Sequence, residues 1–277
     1  MCEVLEVSTS GYCAALDREP SPRAKRTAQI EEAVRAVHAE SHAIYGSVNI
    51  ARELEQRNDQ ESACRNTVAK AMRKMGLKSR VSKSFTPTTT QADPRRAAVP
   101  NILAQDFTAA APNRKWVTDI TYLWTEQGWV YLAVVLDLFS RKAVGWAIGK
   151  SLETDLVSTA LRRAIEARRP EGSKLLHHSD RGCQYTSDAY QQTLRTFGIQ
   201  CSMSRTCCCY DNAVMERFFW SLKHEWTNHE CLADLEAARL SVFKYVETFY
   251  NTVRLHQTLG YHSPNHYEAV HAPAHAA

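Results

Sequence analysis

Between Lys115 and Ile148 the chain runs through three β-rich segments joined by turns too short to hold a helix, and no other stretch limits the fold as tightly. Lys115 to Leu123 is the first; a Gln127-Gly128 turn leads into Trp129 to Leu136, an almost unbroken apolar run; Asp137 to Lys142 turns again, and Ala143 to Ile148 follows. Connections this short imply an antiparallel meander. The spacing then predicts a helix over about 153–168, a strand over 175–178, a helix over about 187–197, a strand around 199–203, and two long helices near 211–228 and 233–250. A meander followed by alternating helix and strand describes an α/β layer fold with a mixed sheet.

The residues before the meander have a different period. Ile30, Val34 and Val37 repeat at helical spacing, Tyr45-Gly46-Ser47 interrupts them, Ile50 and Leu54 resume, and Val68, Met72 and Met75 carry a third stripe. Three short helices with tight turns suit a helix-turn-helix module. Charge is divided in the same way: 16 basic and 12 acidic residues precede residue 101, and 18 of each follow, so the net +4 lies wholly in the first part. Arg65, Lys70, Arg73, Lys74, Lys78, Arg80 and Lys83 have no acid among them. They form a phosphate-binding footprint if they share a face, and a solvated basic helix if they do not. DNA binding through them would fall steeply with salt. Residues 82–98 are rich in Ser, Thr and Pro with no apolar period, which marks a linker. The expected organisation is a helical DNA-binding region over 1–81, a linker over 82–109, a core over 110–270 and a tail over 271–277.

No apolar run is long enough to span a bilayer, and the first residues lack the pattern of a signal peptide. A cytoplasmic, nucleoid-associated protein without membrane contact is expected. The nine cysteines include the run Cys207-Cys208-Cys209, which does not resemble a spaced disulfide framework and reads as free thiols.

Three acids stand where chemistry could use them. Asp119 lies within the first strand, Asp180 just beyond the fourth, and Glu216 in the first turns of the helix opened by Asp211-Asn212. Carboxylates brought together repel and need protons or cations between them, and hard oxygen donors suit Mg²⁺. Two such ions clamp the attacking and leaving oxygens of an in-line phosphoryl displacement. Asp137, beside Arg141, reads as a turn or ion-pair residue. At about 100° per residue, Met215, Phe219, Leu222 and Trp226 form one apolar stripe, with Glu216 and Lys223 together on a neighbouring face.

The segments Trp116-Val117-Thr118-Asp119-Ile120-Thr121-Tyr122, His178-Ser179-Asp180-Arg181-Gly182 and Asp211-Asn212-Ala213-Val214-Met215-Glu216, with Lys223 after them, resemble the catalytic core shared by retroviral integrases and bacterial insertion-sequence transposases. Asp180 and Glu216 are separated by 35 residues, the interval typical of that family. The stretch from Tyr250 to Tyr261 resembles the end of the same core, and residues 28–78 resemble the helix-turn-helix segment of second-frame (OrfB) transposases. The resemblance implies a ribonuclease-H-like mixed sheet flanked by helices, preceded by a small all-α module. It implies that Asp119, Asp180 and Glu216 bind two Mg²⁺ ions, with Mn²⁺ able to substitute, and that DNA is cut at the element's ends and its 3′-hydroxyl transferred. Lys223 matches the residue that holds terminal DNA, and Asn212 a position of structural or DNA-contacting support. Terminal repeats and target DNA, a homo-oligomer assembled on DNA and an upstream-frame (OrfA) product are the implied partners.

The sequence departs from the family in three places. Cys207-Cys208 stands where Gly-Asn is common, which removes a residue able to take φ > 0 ahead of the catalytic helix. Adjacent cysteines cannot readily wrap one tetrahedral zinc. His38 and His42 are followed only by Cys64, unlike the zinc-binding domain of retroviral integrases. The start at Met1 reads like the middle of a small helical unit, and in the family it resembles an upstream frame often supplies another DNA-binding and oligomerising part, fused by frameshifting. The altered loop leaves an alternative, a catalytically impaired copy that only binds DNA. A two-carboxylate glycosidase would leave the basic module and Lys223 without a role.

Overall fold

The computed structural model describes residues 8–16, 19–57, 62–80, 99–205 and 208–272. Lys83, the linker to residue 98, Cys207, the first seven residues and the tail from 273 lie outside the described residues. The chain divides into two compact units, Met1–Arg80 and Val81–Ala277. Among the described residues no helix is long and apolar enough to cross a membrane.

The first unit is all-helical: α1 (Thr9–Leu16), α2 (Pro22–Glu40), α3 (Ser47–Gln56) and α4 (Arg65–Lys74). Ser21 caps α2, accepting the Ala24 N–H, with Pro22 at the first turn where its missing N–H costs nothing. The apolar stripes point inward, with Val34, Ile50, Leu54 and Val68 fully buried. Thr9–Leu16 adds a helix that no apolar period announced, its described residues being exposed. His38 donates from Nε2 to the Lys78 carbonyl, 3.1 Å away, which ties α2 to the end of the unit.

The second unit is built on a five-stranded sheet in the order β3-β2-β1-β4-β5. The strands β1 (Lys115–Thr125), β2 (Gly128–Asp137) and β3 (Ala143–Gly149) form the antiparallel meander. Gly128, at φ 111°, occupies a conformation open to glycine at the first turn. Helix α5 (Thr154–Arg168) then crosses the sheet to β4 (Leu176–Ser179), which pairs parallel with β1. The short α6 (Cys183–Thr186) and α7 (Asp188–Thr196) lead to β5 (Gln200–Met203), parallel to β4. This is the ribonuclease-H-like mixed sheet. From Leu132 to Leu136 every side chain of β2 is fully buried, so both faces of the sheet are covered there. On α5, Val157, Ala160, Leu161 and Ala164 pack against Trp116, Ala133 and Val135 of the sheet.

The end of the unit departs from the sequence-based prediction. The helix α8 (Ala213–Glu225) starts two residues later than expected, after a 3₁₀ turn over Cys209–Asn212. The long helix expected to residue 250 is α9 (Leu235–Phe243) followed by a π-helix over Lys244–Tyr250. The wider turn brings Tyr245 and Tyr250, five residues apart, to a centroid separation of 5.7 Å, and both rings pack on Phe218 of α8. A final helix α10 (Pro264–His271), not foreseen, is capped by Ser263. Its Glu268 takes both arms of the Arg168 guanidinium at 2.9 Å, securing the end of the chain to α5.

Candidate active site

Asp119 lies in the middle of β1, half-buried, and its Oδ1 accepts the Ile120 N–H at 2.8 Å. Asp180 is the first residue beyond β4, which lies next to β1, and its Oδ1 accepts the Gly182 N–H at 2.9 Å. Glu216 is exposed in the first turn of α8, where the helix N-terminus favours an anion. The sheet and α8 thus bring the three predicted acids together from separate elements. Burial pushes the Asp119 carboxyl well above its usual range, and the charges of Asp180 and then Glu216 raise it further. Burial also raises Asp180 and Glu216.

Other acids in this unit are treated differently. The three that are fully buried, Asp137, Asp211 and Glu225, each have an arginine, respectively Arg168 at 3.7 Å, Arg205 at 3.0 Å and Arg254 at 2.5 Å. Among the described residues no lysine, arginine or histidine pairs with Asp119, Asp180 or Glu216. Asp137 is therefore an ion-pair residue as expected, with Arg168 from the end of α5 as its partner in place of Arg141. That choice follows from the fold: Arg141 takes φ 61° in the β2–β3 turn, and the Tyr250 hydroxyl donates to its carbonyl.

Two residues ahead of α8 fix where Glu216 stands. Asn212 is buried and donates through Nδ2 to the Thr118 carbonyl at 3.1 Å, joining the start of α8 to the strand position beside Asp119. Asp211, overlooked in the sequence, is fully buried and collects the Arg205 backbone N–H and guanidinium, Asn101 Nδ2 and Gln105 Nε2, all within 3.1 Å. The Arg205 side chain is the foremost cause holding Asp211 well below the ordinary carboxylate range. The Cys208 thiol also donates to Asp211, at 3.4 Å. The loop that departs from the family pattern is therefore anchored on its helix side. An acid directly before the helix-opening Asn212 is the available sequence signal.

Lys223 lies further along α8, half-buried, with Nζ 4.3 Å from the Tyr122 ring centroid. Burial lowers its affinity for the proton. In the first unit, Arg65, Lys70, Arg73 and Lys74 are all exposed on α4. At about 100° per residue they spread over the half of the helix opposite Val68, Ala71 and Met72. Lys74 is paired with Glu31 at 2.7 Å, so it is partly neutralised by its own module.

The donor set of the three acids consists entirely of carboxylate oxygens, which fits a hard divalent cation such as Mg²⁺. Among the described residues no three His, Cys, Asp or Glu side chains stand close enough together to hold an ion as placed. The match is thus one of donor chemistry.

Several known proteins are similar to this chain. Residues 109–209 match a family model described as integrase core domain, 197–264 a second of the same description, and 25–85 one described as HTH-like domain. The HTLV-2 integrase catalytic core domain in complex with magnesium aligns with a TM-score of 0.44 at 18% identity, covering 56% of this chain and 96% of that one. Over 264 residues the chain is 34% identical to the 31 kDa protein of insertion element IS600 from Shigella sonnei, covering 95% of this chain and 96% of that protein. Transposase InsF of insertion sequence IS3A from Escherichia coli K12 is 38% identical over 270 residues, which span 97% of this chain and 92% of InsF. With helical module and integrase core matched together along nearly its whole length, the chain belongs to the IS3 family of insertion-sequence transposases.

Proposed function

We propose that this transposase cuts DNA at the ends of its insertion sequence and joins the freed 3′-hydroxyl to a second phosphodiester, with Asp119, Asp180 and Glu216 as the donors for two divalent cations. The observation that carries the reading is the contrast in charge compensation. Each fully buried acid of the unit has its arginine, whereas these three have no cation among the described residues, and Asp119 bears the charge of the other two. Such a cluster is repulsive until positive charge enters. Bound there, Mg²⁺ or Mn²⁺ would supply that charge to the attacking and leaving oxygens of an in-line displacement.

The chain's own groups do the positioning. The Ile120 and Gly182 amides hold one oxygen each of Asp119 and Asp180 and leave the second for a ligand. Glu216, exposed, is free to turn toward them. Asn212 sets the start of α8 against β1 and acts as support, while Lys223 holds a phosphate of the terminal DNA on the same helix. The helical region of residues 1–81, followed by the linker of 82–109, grips DNA through Arg65, Lys70, Arg73 and Lys74, and the core extends over 110–270. Terminal repeats and target DNA are the substrates, bound by a homo-oligomer, with an upstream-frame product as a further partner.

The test is a strand-transfer assay with Mg²⁺ on DNA bearing the element's end sequences. Asp180→Asn and Glu216→Gln should each abolish cleavage while the protein stays folded; wild-type cleavage by either variant would sink the assignment. End-specific binding without metal-dependent nicking by the wild-type protein, even with the upstream-frame product added, would favour a DNA-binding protein without catalysis.

A further inference from the structure

Three of the largest side chains in the second unit face solvent together. Tyr122, Trp124 and Trp129 are 53%, 59% and 50% exposed. They lie at the β1–β2 hairpin, where Trp124 and Trp129 are register partners. They meet edge to face, with centroids 5.0 Å apart for Tyr122 and Trp129 and 4.9 Å for Trp124 and Trp129. Exposed apolar side chains scattered singly need no explanation, but a contiguous group marks an interaction site.

The cluster continues onto α8 through the Lys223 ammonium over Tyr122. One turn earlier on that face lies Trp220, four residues after Glu216 and three before Lys223. The Arg217 guanidinium sits 4.4 Å from its ring centroid, and the His224 ring stacks on it at 4.5 Å with 15° between planes. Aromatic rings and cations therefore alternate outward from Glu216.

We propose that Tyr122, Trp129 and Trp124, reached from Glu216 past Lys223, form a stacking track for unpaired nucleotides of the DNA strand that enters at Glu216. The inference rests on the DNA-cleaving reading above, which brings a strand to Glu216. Flat rings stack on bases only where those bases are free of a duplex, and interleaved cations meet the phosphates between them. Cations alone would bind duplex and single strand without distinction. A second protein or a second copy of this chain is the poorer occupant, because lysine is depleted from the cores of protein interfaces, whereas here an ammonium lies against a ring of the cluster.

All six tryptophans lie beyond residue 115, so tryptophan emission in the full chain reports on the second unit alone. The experiment titrates full-length protein with an oligo(dT) single strand in EDTA, reading that emission, with a duplex of equal length alongside. Saturable quenching should be stronger and tighter with the single strand. Trp124→Ala with Trp129→Ala should weaken it by about tenfold or more, and Trp124→Phe with Trp129→Phe should restore most of the affinity, read by competition with a labelled strand. If the double alanine variant unfolds, Trp124→Ser alone should still weaken binding. Unchanged affinity in a folded alanine or serine variant overturns the proposal, as does a loss of self-association in sedimentation with affinity intact, which would identify the patch as a copy interface. Asp180→Asn should quench like the wild type. Were that variant also to retain strand transfer, the catalytic assignment would fail while the track stood; a lost track with a metal-dependent wild type would be the reverse.

Discussion

Replacing Arg254 by alanine should unseat α8, although Arg254 is far along the chain from the three acids. Its guanidinium makes two bonds to Glu225, at 2.6 Å from Nε and 2.5 Å from the terminal nitrogen, and a third to Ser221 Oγ at 3.2 Å. Glu225 also accepts the Tyr245 hydroxyl at 3.1 Å. The side chains of Arg254 and Glu225 are only 13% and 4% exposed, so truncating the arginine leaves a carboxylate desolvated with a single neutral donor. Breaking a buried pair by removing one member costs about 3–5 kcal/mol. For a unit of this size that corresponds to a fall in melting temperature of about 6–20 °C. Thermal unfolding followed by near-ultraviolet circular dichroism, which sees the aromatic cluster around Tyr245 and Tyr250, is the assay. The pair Glu225→Leu with Arg254→Met removes both charges and should recover most of the loss, since a buried ion pair and an apolar pair of similar volume differ little. A loss below about 1 kcal/mol for Arg254→Ala, or a double variant as unstable as the sum of its singles, would refute the reasoning.

Two further expectations concern stability. His177 is fully buried on β4, and burial, followed by the neighbouring His178, lowers its pKa from 6.5 to about 3. The unfolded chain therefore takes up a proton below pH 6.5 that the folded chain refuses, so stability is constant above that pH and falls as pH drops through 3, by about 5 kcal/mol in all. Denaturant titrations of wild type and His177→Gln should diverge in slope by about one proton between pH 6 and 4; parallel profiles would show that His177 is not held neutral. Gly145→Ala should destabilise the meander, because a Cβ on β3 would lie 2.4 Å from the Ala160 carbonyl oxygen and 2.7 Å from the Ala164 Cβ of α5. Overpacking of this kind costs about 1–3 kcal/mol, and a change below about 0.5 kcal/mol in chemical denaturation would mean that α5 moves aside freely.

The sequence by itself determined the features that depend on neighbours a few residues apart. Alternation and turn residues from Lys115 to Ile148 specified the meander, the stripes at Ile30, Ile50 and Val68 specified the helical module, and the positions of Asp119, Asp180 and Glu216 on their elements could be read from local pattern together with the resemblance. Periodicity reports which residues share a face, but it does not give the residues per turn, and the π-helix over Lys244–Tyr250 was read as ordinary helix for that reason. Tertiary structure alone decided which charges are neutralised. Glu225 receives Arg254 and Asp137 receives Arg168, partners about 30 residues away, and Asp211, paired with Arg205 six residues before it, is completed by the amides of Asn101 and Gln105 from about 110 residues away, none of which local spacing reveals. The carboxylates looked alike as letters; burial and the approach of distant arginines separated those that hold the fold from the three left to repel one another.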